Sequence, residues 1–381
     1  MDPASGLAPR RDQNVDLLRT AAILMVLVYH WFQRWPVRQE SVRAFTELGQ
    51  YGVDLFFVIS GWLIGGLYWR ELRDHGKVSI RRFLLRRWLR TIPPYLVALF
   101  LAWGGVALVR KEPFDAGYLL FLQNYYQRLP FFLVSWSLCV EEHFYLVLPF
   151  ALWMLCRIGP RVPRWLPLAG LIPLGLRLVQ PIDLGAVSFG QYETATHLRF
   201  EGLALGVWAA WVAQYDRPLW LRLKQLSRLL APPAGLLLLA LALVGPGGHY
   251  RFGYSLVALV FVVWVVRLAD EPAFALPGLT PVLSIATWSY SLYLTHTFVE
   301  WPVLDVLRHR YPGGGLLYAP VLVLATFVAG AVFHAGVEAP AMRFRDRWVP
   351  RPPKGLRAPC GQPDHLPELG SAAKFEPAGK A

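Results

Sequence analysis

A chain of 381 residues, 55% hydrophobic and only 17% charged, is too apolar for a soluble domain of its length. The formal net charge of +13 needs no nucleic acid to explain it: no DNA- or RNA-binding motif is present, and the basic residues flank long apolar blocks, where anionic lipid accounts for them. The composition therefore predicts an all-α, polytopic membrane protein.

Ten spans are predicted, near residues 15–34, 50–69, 91–109, 131–156, 165–179, 198–214, 229–245, 252–268, 281–303 and 316–337. The third contains Pro93 and Pro94, and the fifth is short and carries Arg177. Ten spans put both termini on one side. Lys and Arg on that side outnumber those on the other by more than two to one, so both termini are expected in the cytoplasm. The expected organisation is a cytoplasmic N-terminus (1–14), a membrane domain (15–345) and a disordered cytoplasmic tail (346–381) rich in Pro, Gly and Lys. Arg10-Arg11 ahead of an apolar run superficially resembles a signal peptide. The run lacks a small-residue cleavage site and carries Arg19 and His30, so a retained first span is expected.

The polar residues within these spans carry the functional argument. Arg19 and His30 lie eleven residues apart in the first span; at about 100° per residue they share a face, about 16 Å apart along the axis. Ionisable groups are costly in hydrocarbon, so a cation and an imidazole on one face suggest a polar cavity. The alternative is that Arg19 snorkels to the surface and His30 bonds a neighbouring helix without reacting. The second span opens on Gly52-Val53-Asp54 and continues to Ser60-Gly61, a carboxylate followed by a small pair that lets backbones approach. Between spans two and three, Arg70, Arg73, Lys77, Arg81, Arg82, Arg86, Arg87 and Arg90 form the densest basic cluster, read mainly as a topology determinant facing anionic lipid. In the fourth span Glu141 and Glu142 are adjacent, and neighbouring helical positions diverge by about 100°. One is expected to face the bundle and the other the interface. A buried carboxylate needs a cationic or hydrogen-bonding partner, and Arg19, Arg87, Arg90 and Arg199 are the candidates.

Cys139, Cys156 and Cys360 show neither paired spacing nor a metal pattern. The nine histidines form no His-x-x-x-His or Glu-x-x-His pair on a span, and no metal is expected.

Taken in order, these strings resemble the acyltransferase-3 family of integral-membrane acyltransferases. The likeness runs through Arg19 and His30, Gly52 to Gly61, Arg87-Trp88-Leu89-Arg90 ahead of Pro93 and Tyr95, and Ser135 to Tyr145. It continues through His197 to Leu203 with Gly206, Ser289 to His296, and Val337-Glu338-Ala339-Pro340, covering about residues 14 to 345. The resemblance implies transfer of an acyl group, commonly acetyl from acetyl-CoA, to a hydroxyl of a sugar-containing molecule. By position it makes His30 the general base or acid, with Arg19 shaping the site and Glu141 in the acidic motif. Arg87 and Arg90 would engage the CoA donor. Asp54, Ser60, Glu142, Arg199, Glu201 and His296 are further candidates, Glu201 standing where the family more often has Asp. No permanently bound cofactor is expected; acetyl-CoA or another acyl-CoA is the donor substrate.

The chemistry of these residue types agrees. An alcohol is a poor nucleophile, and an imidazole can take its proton during attack on a thioester, contributing about 10²–10⁴ in rate. Cationic groups suit the phosphates of CoA. A covalent intermediate on Ser60 or Cys139 has no flanking triad signature. The expected protein is a membrane O-acyltransferase of the bacterial cytoplasmic membrane, acting on a cell-surface polysaccharide or its lipid-linked precursor. Its partners would be the bilayer, acyl-CoA and the carbohydrate acceptor. Acylation of a small-molecule glycoside or macrolide is the alternative acceptor class. A transporter or polysaccharide-export component is the non-enzymatic alternative, but residues 15–156 and 165–337 show no convincing repeat of broken helices.

Overall fold

A computed structural model describes residues 12–34, 45–126, 129–180, 191–243, 249–272, 279–311 and 318–351. Cys360 and most of the expected tail lie outside the described residues. Among the described residues, eleven helices of ten or more residues carry the fold: α1 (Gln13–Arg34), α2 (Gly52–His75), α3 (Ile80–Arg110), α4 (Trp136–Ile158), α5 (Leu166–Val179), α6 (Glu201–Tyr215), α7 (Arg217–Leu243), α8 (Tyr254–Leu268), α9 (Leu279–Arg310), α10 (Tyr318–Phe333) and α11 (Ala339–Trp348). No strand occurs among the described residues, and the protein is all-α.

Among the described residues, eight helical stretches are long and apolar enough to cross a membrane: α1 to α5, α7, α8, and α10 joined to α11 through the π-helical turn His334–Glu338. The remaining two expected spans fall on α6 and α9, which do not meet that standard. At 15 residues α6 is short, and most of its residues are buried by protein rather than available to lipid. α9 is 32 residues long, but it buries Ser289, Ser291, Thr295, His296, Thr297 and Glu300. Its polar groups point into the bundle, which lowers its hydropathy.

The basic cluster departs from its expected form. α3 begins at Ile80 behind the Ser79 cap, whose hydroxyl accepts from the Arg82 amide. Arg81 to Arg90 are therefore helical rather than part of a loop, and their side chains separate by face. Arg82 bonds Glu71, Arg86 bonds Asp346 and the carbonyl of Val349, and Arg87 and Arg90 turn inward.

Two pairs of helices running in the same direction set the centre of the bundle. α1 lies along α9, with the Thr20 hydroxyl donating to the Val282 carbonyl and Arg19 reaching Ser289. α2 lies along α6, where Gly61 and Gly206 bring the two backbones into contact. Gly49 and Gly52 seat the start of α2 against Met25 and Ala22 of α1. The Asn14 side-chain amide anchors the start of α1 by donating to the carbonyls of Leu268, Glu271 and Pro272.

Candidate active site

Among the described residues, two neighbouring cavities open in the centre of the bundle. The larger, about 840 Å³ including its mouth, lies among α1, α2, α3, α4 and α9, and is lined by Arg19, Ser60, Arg87, Arg90, Glu141, Ser289 and Tyr290. The smaller, about 600 Å³, is lined by Tyr29, His30, Gln50, Trp136, Glu193, Arg199 and Tyr254. Val53 and Tyr293 line both, so these two side chains form the partition. Tyr293 is held in place: its hydroxyl donates to the Val134 carbonyl at 2.8 Å and lies 2.6 Å from Ser137 Oγ.

The helical face shared by Arg19 and His30 is directed at α9. Arg19 donates to Ser289 Oγ at 3.0 Å, and the His30 ring meets His296 seven residues further along α9, with centroids 4.8 Å apart. They open into different cavities, however, rather than the single cavity that the spacing suggests. Eleven residues of helix is a rise of about 16 Å, enough for a partition to fit between them.

In the larger cavity the groups are interlocked around Glu141. Arg87 donates to its Oε2 at 2.9 Å, Tyr145 to the same oxygen at 2.7 Å, and Ser60 to Oε1 at 3.2 Å. The Arg87 guanidinium also lies 4.1 Å from the centre of the Tyr145 ring. Glu141 already accepts three hydrogen bonds, and Ser60 spends its proton on that carboxylate instead of on an imidazole. The geometry provides no nucleophile–base pair there. Arg90 differs from its neighbour: it makes no hydrogen bond or ion pair with the described residues and presents its charge to the cavity.

His30 enters the smaller cavity with its Nδ1 fixed 2.9 Å from the Val26 carbonyl. A carbonyl only accepts, so in the neutral ring Nδ1 carries the hydrogen and Nε2 keeps its lone pair for the cavity. Across from it, Arg199 donates to Asp54 Oδ1 at 2.7 Å and to the Glu193 carbonyl at 2.7 Å, and packs 3.6 Å from the centre of the Tyr254 ring. Asp54 thus acts from behind Arg199.

Glu142 and Glu201 line neither cavity. Glu142 does not seek an interface: like Glu141 it is turned into protein, and it is only 8% exposed. The helices packed around α4 enclose both positions. Glu201 is bonded by Arg177 at 2.7 Å, and Arg177, wholly buried, also donates to Ser255 Oγ at 2.6 Å and to the Leu198 carbonyl. Arg177 was absent from the candidate cations, although a lone Arg in an apolar run just ahead of an acidic helix start was a usable signal. Ser289 and Tyr293 were also passed over as individual site residues. With His296 and Glu300 they repeat at four, three and four residues, which places them on one helical face. Cys139 is fully buried and lines neither cavity. Among the described residues no group of three or more His, Cys, Asp or Glu side chains could hold a metal ion.

The family model for an acyltransferase domain, acyltransferase-3, matches residues 12–335. The chain belongs to this family. It is similar to O-acetyltransferase OatA of Staphylococcus aureus strain NCTC 8325 / PS 47 and of strain COL, at 26% identity over 367 residues in each case. The match covers 87% of this chain, and the chain spans only 57% of the length of those relatives. No solved structure matches it. Family membership and the apolar helices together make it an integral membrane protein.

Proposed function

We propose that this chain is a membrane O-acetyltransferase that moves acetyl from acetyl-CoA to a hydroxyl of a cell-surface carbohydrate or its lipid-linked precursor, in a bacterial cytoplasmic membrane with both termini in the cytoplasm. One observation carries the reading: a cavity lined by a guanidinium, Arg90, that has no hydrogen bond or ion pair among the described residues, and a cavity with an imidazole lone pair, His30, meet across Val53 and Tyr293. The similarity to named O-acetyltransferases gives the reaction class its support.

The division of labour follows from charge. CoA is an anion, and Arg19, Arg87 and Arg90 line the larger cavity, so the donor occupies it with its thioester toward the partition. The acceptor hydroxyl lies in the smaller cavity against His30 Nε2. His30 removes the hydroxyl proton as oxygen attacks the thioester carbonyl. The carbon–sulfur bond then breaks, and the proton neutralises the departing thiolate. Asp54 and Glu193 fix Arg199, whose side chain shapes the acceptor side.

The test is transfer of radiolabelled acetyl from acetyl-CoA to extracted surface glycan by membranes carrying wild type or equally abundant His30→Ala. Loss of about 10²–10⁴ in rate is expected for the variant. Equal labelling would overturn the general-base role, and absence of labelling from wild type with every donor and acceptor supplied would overturn the transferase reading.

A further inference from the structure

The two side chains shared by the cavities are both held in place, and neither is charged. Tyr293 is fixed at its hydroxyl, which donates to the Val134 carbonyl at 2.8 Å and lies 2.6 Å from Ser137 Oγ. The Phe56 ring meets it edge-on, with centroids 6.3 Å apart. Val53 is only 8% exposed, and a β-branched side chain in a helix has little choice of rotamer. Its backbone has no room to retreat toward α1. A Cβ on the neighbouring Gly52 would lie 2.6 Å from the Ala22 carbonyl oxygen and 2.9 Å from Val26 Cγ2. The wall between the cavities therefore presents a fixed, apolar shape.

The placement of the donor decides which part of it meets that wall. With the phosphates among Arg19, Arg87 and Arg90 and the thioester at the partition, the acyl group is the leading end of the molecule. Everything that it carries beyond its carbonyl must fit against Val53 and Tyr293 while the hydroxyl oxygen approaches from the His30 side. The rest of the apolar lining contributed by α2, out to Leu63 and Leu67, lies behind the thioester. Leu67 is fourteen residues from Val53, about 21 Å along the helix.

We propose that Val53 sets the length of the acyl group that is transferred: with Tyr293 it admits the methyl of acetyl and excludes longer chains. The inference rests on the reading of the larger cavity as the donor site, and it names the donor class within that reading. Close-packed apolar walls resist the insertion of even one methylene. Since no charged side chain is common to the two cavities, selection at the partition is by volume.

The experiment supplies membranes carrying the full chain with acetyl-, propionyl- or butyryl-CoA, each labelled in the acyl group, and with extracted surface glycan. Wild type should use propionyl-CoA about tenfold or more less efficiently than acetyl-CoA, by kcat/KM, and butyryl-CoA less efficiently again. Val53→Ala removes two methyl groups from the wall and should raise the propionyl-to-acetyl ratio about tenfold or more. Both rates come from one preparation, so the amount of folded protein cancels from the ratio. Leu67→Ala enlarges the same cavity far from the partition and should leave the ratio within about twofold of wild type. The proposal is overturned by a wild-type ratio in Val53→Ala, or by a shift in Leu67→Ala as large as that in Val53→Ala. A wild type that uses butyryl-CoA as well as acetyl-CoA overturns it without any variant. Wild-type membranes that transfer no acyl group from any donor remove the transferase reading itself, whereas acetyl transfer with an unselective donor profile removes the role of Val53 alone.

Discussion

Arg87, Arg177 and Arg199 each have a carboxylate partner, Glu141, Glu201 and Asp54 respectively, whereas Arg90 has none among the described residues. The difference separates groups that hold the fold from a group that is open to a ligand. Replacing Asp54 by Asn leaves the Arg199 charge buried without its counter-ion, and breaking one side of a buried pair costs about 3–5 kcal/mol. A lowered thermal unfolding midpoint in detergent is expected for Asp54→Asn. Arg90→Gln, by contrast, removes a charge that has no ion-pair partner among the described residues to orphan. It should leave the midpoint near wild type and raise KM for acetyl-CoA about ten- to a hundredfold, the worth of a hydrogen bond to a charged group. If Arg90→Gln unfolds as early as Asp54→Asn while KM is unchanged, Arg90 is a structural residue.

At the scale of elements, the seam between α2 and α6 depends on the absence of side chains. A Cβ on Gly206 would strike the Val58 carbonyl and come within 2.7 Å of the Trp62 amide nitrogen, both main-chain atoms that cannot swing aside. Gly206→Ala should therefore lower the unfolding midpoint by an amount corresponding to about 1–3 kcal/mol, the usual cost of overpacking. Gly104→Ala in α3 has open space around the new methyl and should be neutral or stabilising by up to about 1 kcal/mol. Two variants with the same midpoint would show that the seam is not as tight as its geometry implies. These elements were unevenly legible in the sequence. Apolar blocks show themselves by length alone, which is why most helices fall near their expected positions. The Arg19–His30 face was legible because eleven residues is close to three whole turns. The polar stripe of α9 was visible but weak as a membrane signal, since burial against protein permits residues that lipid would not. Which arginine meets which carboxylate depends on packing between distant segments: Glu201 took Arg177 and Glu141 took Arg87, a choice that local spacing does not encode. The helical start at Ile80 was missed because dense positive charge read as a loop, although Ser79 is a recognisable cap.

For the whole molecule, the two cavities make the proposed reaction directional. The Arg-lined cavity lies toward the N-terminal end of α3, where Arg81, Arg82 and Arg86 precede Arg87 and Arg90 within three turns, and where Arg86 meets Asp346 at the end of α11. This is the basic end of the bundle, which the topology proposed above places in the cytoplasm. His30 lies about 16 Å further along α1 from Arg19, in the cavity beyond Val53 and Tyr293. Acetyl-CoA is a multiply charged anion that does not cross a sealed bilayer, so its access reports which end of the protein faces the bath. Inside-out vesicles supplied with labelled acetyl-CoA externally should label glycan, and right-side-out vesicles should do so only after permeabilisation. Equal labelling of sealed vesicles of both orientations would mean that donor and acceptor share one opening. It would also mean that the partition at Tyr293 does not separate two sides. Labelling confined to right-side-out vesicles would invert the topology and place the basic end of α3 outside, against the charge distribution of the whole chain.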